Sequence, residues 1–155
     1  MQCRSAQLVV KITSTTPSMT VANIYRPPQS SLVNFYEELA DLLAVIASHT
    51  DRLLVVGDFN CPGDGPASIG VELSSVFESL SLLQHVCEPT RLGSLLDLVI
   101  IDHELTISKL SVNDAGLVSD HRLVTATVCV RRAGFTLRGA LRHDVVGGPL
   151  HFFPT

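Results

Sequence analysis

Apolar and polar positions along the chain change rhythm several times, and each rhythm predicts an element. Residues 7–13 and 19–25 are short apolar-rich stretches joined by Ser14-Thr15-Thr16-Pro17-Ser18, which reads as two strands and a turn. The second stretch ends at Ile24-Tyr25-Arg26-Pro27-Pro28, where two prolines lacking N–H donors stop any ladder. Over about 31–48, Leu32, Phe35, Leu39, Leu42, Leu43 and Ile46 recur at three- and four-residue steps, with Glu37, Glu38 and Asp41 on the other side. That period predicts an amphipathic helix. Leu53-Leu54-Val55-Val56 follows without a polar break and predicts a strand buried on both faces. Leu73, Val76, Phe77, Leu80 and Leu83 form a second helical stripe.

Further on, His85-Val86-Cys87 suits a short strand, and Leu95 to Ile101 another buried one. Residues 106–112 suit an extended edge, and Ser119-Asp120-His121 opens a last strand running from Arg122 to Val130. Strands alternating with helices predict α/β layers. Residues 1–131 read as one domain. The remainder, 132–155, follows Arg131 with three more arginines (Arg132, Arg138, Arg142), four glycines and no period, and is expected to be a poorly ordered tail.

Composition narrows the class. The 155 residues suit one domain with one sizeable core. Hydrophobic residues make up 46% against 17% charged, with a mean hydropathy of +0.34. No apolar run nears the roughly 18 residues of a membrane span, so apolar surface covered by something beyond this chain is one explanation. A net charge of −4 supplies no bulk attraction for nucleic acid, which lowers that class without excluding it. Cys3, Cys61, Cys87 and Cys129 are scattered without a C-x-x-C pair, as suits free thiols in a reducing compartment. The N-terminus is too short and interrupted for a signal peptide, so a nuclear or cytoplasmic rather than secreted location is expected.

Chemistry collects at strand ends. After Gly57 the chain presents Asp58 and Asn60 two residues apart, followed by a turn rich in Pro and Gly. Taken alone, that pair reads first as turn caps. Asp97 interrupts an apolar strand, where a lone charge is costly without a partner. Asp120 and His121 stand together at the start of the last strand. Carboxylates for a hard cation, a carboxylate to orient water, and a histidine held by a second carboxylate are what phosphodiester hydrolysis needs. Asp97 is the natural second carboxylate for His121. Competing sites are poorer: His85 and Cys87 lack a second pair for zinc, and the serine of Gly65–Gly70 is out of step with G-x-S-x-G.

With these boxes in order, the sequence resembles the endonuclease/exonuclease/phosphatase superfamily. The boxes are Gly57-Asp58-Phe59-Asn60, Leu96-Asp97-Leu98-Val99 and Ser119-Asp120-His121. Tyr25-Arg26-Pro27-Pro28 and Pro89-Thr90-Arg91 narrow the likeness to the apurinic-endonuclease-like domain of LINE-type (non-LTR) retrotransposons, over about residues 7–131. The resemblance implies an α/β (α+β) fold, a four-layer sandwich of two packed mixed sheets flanked by helices. It implies Asp58 aligning or deprotonating the attacking water, and Asn60 fixing that water and the phosphate. His121 would contact the scissile phosphate with Asp97 bonded to its imidazole, Tyr25 would reach a phosphate oxygen, and Asp120 would lie near the metal. Thr90 and Arg91 are expected to be structural or DNA-facing.

By the same resemblance the cofactor is Mg²⁺ or Mn²⁺, the substrate DNA, and the partner in a full element a reverse transcriptase domain; no membrane is involved. The family's metal-binding glutamate lies in an N-terminal part that precedes the strands found here. The expectation is therefore a partial sandwich with that part missing, an incomplete metal site, and weak or absent DNA cutting. Two alternatives stand beside the nuclease: a non-catalytic truncated relic or binding module, and a phosphatase or phosphodiesterase of the same superfamily.

Overall fold

The computed structural model describes residues 5–15, 17–130 and 150–151. Two strands open it, β1 (Ala6–Ile12) and β2 (Met19–Tyr25), followed by helix α1 (Leu32–Ala47), β3 (Leu53–Asp58) and helix α2 (Val71–Ser79). Then come β4 (Leu83–Gln84), β5 (Asp97–Ile101), β6 (Leu105–Asn113), β7 (Leu123–Val130) and β8 (Leu150–His151). Five strands form one mixed sheet in the order β1-β2-β3-β5-β4, and three form a second in the order β6-β7-β8. No helix among the described residues is long and apolar enough to cross a membrane.

The β2–α1–β3 unit carries the layout. Ser31 caps α1 by accepting from the Asn34 N–H, just after the two prolines have ended β2. Phe35, Leu39 and Leu43 form the buried stripe of α1, and Leu73 and Phe77 that of α2. Both helices cover one face of the five-stranded sheet, where Phe59 sits edge-on between Phe35 and Phe77. β2 and β3 run parallel, as a helical crossover requires, and β5 returns antiparallel to β3.

Strand alternation sorts the sheet into rows. Ile24, Gly57 and Leu98 share one row; Asn23, Val56 and Val99 share the next; Tyr25, Asp58 and Asp97 share the row at the end of β2 and β3. The last two rows face away from the helices, toward the second sheet. Val112 of β6 and Val124, Ala126 and Val128 of β7 belong to the same continuous core as Val56 and Val99. The result is an α+β sandwich of two packed sheets with helices outside the larger one.

Two expectations need correction. Leu83 does not continue the α2 stripe: the helix ends at Ser79, Ser81 turns left-handed (φ 56°), and Leu83 pairs with Ile101 as β4. A residue at helical spacing had no way to reveal that the turn before it was broken. The short strand accordingly lies at 83–84, not at His85-Val86-Cys87. Of the expected tail, residues 132–149 and 152–155 lie outside the described residues, while Leu150–His151 pairs antiparallel with β7.

Candidate active site

The end-of-sheet row sets the site. Register alone brings Asp58 beside Tyr25 on one side and Asp97 on the other. The Arg26 N–H donates to the Asp58 carbonyl (2.9 Å), and the Phe59 N–H to the Leu96 carbonyl (2.9 Å), so the three strand ends are tied where the chain leaves the sheet. Gly57 permits this approach: its φ is +139°, and a Cβ there would stand 1.9 Å from the Ile24 carbonyl oxygen.

Beyond Asp58 the chain turns through Asn60, which is left-handed at φ 47°. The Asn60 N–H donates to Asp58 Oδ1 (3.1 Å) and its Nδ2 to Asp58 Oδ2 (2.8 Å). Both carboxylate oxygens are therefore aimed by one neighbour, which is more than a turn cap requires. The same Nδ2 also donates to the Arg26 carbonyl (2.9 Å).

Asp97, only 7% exposed, has the partner its setting demands. Its Oδ2 lies 2.8 Å from His121 Nδ1, and these two side chains are 10% and 13% exposed. Thr90, fully buried, supports the pair from behind. Its Oγ1 accepts from the N–H groups of Leu96 and Asp97 (both 3.0 Å), and its carbonyl accepts from the Arg122 N–H (2.7 Å). The Arg122 guanidinium spans onward to the carbonyls of Pro89 (3.1 Å) and Val112 (3.0 Å), binding the second sheet to this corner. Replacing Thr90 with valine keeps its shape and strips the acceptor from two buried N–H groups. Thr90→Val is expected to cost about 2–3 kcal/mol, read as a lower urea midpoint with an unchanged slope.

Ligand atoms of Asp58, Asp97 and His121 all lie within 4.8 Å of one another. Of these, Asp58 and Asp97 line a cleft of about 240 Å³, together with Tyr25, Arg122 and apolar Val56 and Val99. Burial pushes the Asp58 carboxyl up, and the negative charge of Asp97 pushes it further; His121 and the Asn60 hydrogen bonds pull it partly back. Two carboxylates crowded in a half-buried corner are what a divalent cation would relieve, so the donor set fits such an ion.

Asp120 stands apart. Its carboxylate is exposed and held by Arg91 through Nε (2.8 Å) and Nη2 (2.6 Å), and that guanidinium holds its carboxyl below the usual range. It is not in the Asp58–Asp97–His121 group. No glutamate is in that group among the described residues. His85 and Cys87 form no metal group there either; His85 Nε2 is buried without a partner, and burial pushes its imidazole down. Arg26 and Arg122 escaped the sequence reading as site residues. Arg122 had a signal, its place directly after His121.

A two-sheet sandwich with an aspartate–asparagine turn and a buried aspartate–histidine pair on one rim defines an endonuclease/exonuclease/phosphatase-type domain. The chain belongs to the endonuclease-reverse transcriptase family, whose model matches residues 19–125. Among solved structures it is similar to the endonuclease domain of TRAS1, a telomere-specific non-LTR retrotransposon, at 17% identity and a TM-score of 0.62. That match covers 83% of this chain and 64% of the other, so this chain spans less than two thirds of that domain. An endonuclease/exonuclease/phosphatase family protein from Leptotrichia buccalis C-1013-b is similar at 14% identity and a TM-score of 0.48, covering 83% of this chain and 62% of that one. No curated protein matches the chain in sequence.

Proposed function

We propose that this chain carries the phosphodiester-hydrolysing corner of a retrotransposon-derived endonuclease, with DNA as substrate and Mg²⁺ or Mn²⁺ as cofactor. The observation that carries the reading is the convergence of Asp58, Asp97 and His121 within 4.8 Å at the rim of the packed sheets. Asp58, its carboxylate aimed by Asn60, takes the proton of the attacking water or holds that water in line. Asp97 keeps His121 Nδ1 engaged, leaving Nε2 to donate toward the developing charge on a phosphate oxygen. Tyr25, in the same row and partly exposed, offers its hydroxyl to another phosphate oxygen. Asp58 and Asp97 are the residues that would hold the cation, which when bound supplies charge neutralisation for the phosphate and a more acidic water. Asp120 joins them only by giving up Arg91. In a full element a reverse transcriptase domain would act on the nicked product.

A group with two carboxylates and no glutamate predicts weak Mg²⁺ binding and slow cutting by this polypeptide. Incubated in excess over supercoiled plasmid with millimolar Mn²⁺, the purified chain is expected to produce slow nicking that EDTA stops. Asp58→Ala and His121→Ala are each expected to remove it. Nicking that survives both substitutions, or a folded chain that leaves the plasmid intact, would overturn the reading. The latter result would favour the second one, a non-catalytic relic, which the glutamate-free group and the Arg91–Asp120 pair support.

A further inference from the structure

Arg26 is buried, 4% exposed, and no carboxylate lies within ion-pair distance of it among the described residues. A guanidinium taken out of water without a counter-charge is a costly way to fill space, so what it holds matters. Its groups reach the whole turn that follows β3. The backbone N–H donates to the Asp58 carbonyl (2.9 Å), Nε to the Phe59 carbonyl (3.0 Å) and Nη2 to the Asn60 carbonyl (2.6 Å). Three consecutive carbonyls thus accept from one residue. In return, the Arg26 carbonyl accepts from Asn60 Nδ2 (2.9 Å), so Asn60 is gripped at both its main chain and its side chain. The other end of the guanidinium is fixed: Nη1 donates to the Ser30 carbonyl (2.7 Å) and Ser30 Oγ (3.0 Å), and the group lies 5.8 Å from the centre of the Phe35 ring.

We propose that Arg26 is a positioning residue for the Asp58–Asn60 turn. Its guanidinium holds Asn60 in the left-handed conformation that aims the carboxamide at the Asp58 carboxylate. Neutral carbonyls are the right partners for this purpose, because a carboxylate beside Arg26 would draw its N–H groups off the turn. The planar fork matters too, since a lysine ammonium cannot span two successive carbonyls while also bonding Ser30. The placement of the carboxamide stands on geometry alone; its consequence for catalysis rests on the hydrolytic function proposed above.

The test pairs a readout without activity with one that needs it. In Arg26→Lys and Arg26→Gln the side-chain amide signals of Asn60, followed by ¹H–¹⁵N NMR, are expected to move toward free-carboxamide positions while the amides of Leu54–Val56 stay in place. Nicking is expected to fall by about 10²-fold, the scale of a misplaced reacting group. An Asn60→Ala variant should lose about as much, and Arg26→Gln added to it should lose no more. Unmoved Asn60 signals in both Arg26 variants, or losses that multiply in the double variant, would overturn the proposal. Moved signals in a protein whose wild type does not nick would support the positioning and count against the hydrolytic reading only.

Discussion

Asp97→Asn is expected to reduce nicking by on the order of 10³-fold while leaving the fold intact. The carboxylate lies 2.8 Å from His121 Nδ1 in a corner where both side chains are nearly sealed from water. In the proposed mechanism its negative charge would stabilise an imidazolium donating from Nε2, and its geometry would fix the ring. Asparagine retains the shape and can retain one hydrogen bond, but it removes the charge and can turn its own N–H toward Nδ1. An equivalent change beside a catalytic histidine in serine proteases lowers kcat by about 10⁴. The loss here should be smaller, because His121 stabilises charge in this mechanism without also serving as the base. Stability should stay within about 1 kcal/mol, since the substitution also relieves the crowding of Asp97 on Asp58. Single-turnover nicking under Mn²⁺ measures the rate, and ¹⁵N shifts of the His121 ring report whether the tautomer has changed. The Asp97→Asn, His121→Ala double variant should be no slower than His121→Ala alone. A rate within a few-fold of wild type, with the ring in its original tautomer, would remove Asp97 from the mechanism.

How far this corner could be read from sequence depends on the range of the forces involved. Asp58 and Asn60 stood out because a buried strand followed by Gly57 and a Pro/Gly-rich turn has few places to put polar groups. Asp97 stood out as a charge in an apolar run, and burial rules demanded a partner 24 residues away. That His121 supplies it could be read from chemistry, not from any local pattern. The strands β1, β2 and β7 and helix α1 were legible because period and breaker residues agree there. Asp120 was not legible: whether it turns to a metal site or to Arg91 depends on a contact 29 residues apart between exposed groups. Arg26 was not legible for a different reason: burial of an arginine's charge is rare and requires acceptors that only the folded turn supplies.

Gly57→Ala should cost above about 4 kcal/mol, a large share of a domain's net stability, and leave the chain largely unfolded. Two effects combine. At φ +139° an L side chain is strained wherever it stands, and here the added Cβ would also lie 1.9 Å from the Ile24 oxygen and 2.8 Å from the Ile24 carbon and nitrogen. These are backbone atoms in the centre of a sheet, so no rotamer change relieves the clash and β2 must separate from β3. Gly116→Ala isolates the conformational part: φ is +64° there and nothing lies within 4 Å of the added atom, so a loss of about 1 kcal/mol is expected. Circular dichroism and urea unfolding of the two variants separate the effects. Separation of β2 from β3 would also take Tyr25 and the Arg26 N–H away from Asp58, so nicking should vanish with the sheet. A Gly57→Ala protein as stable as the Gly116→Ala one would mean that the strands do not approach this closely. In that case the row aligning Tyr25, Asp58 and Asp97, on which every role assigned to the corner depends, would not be the one the protein builds.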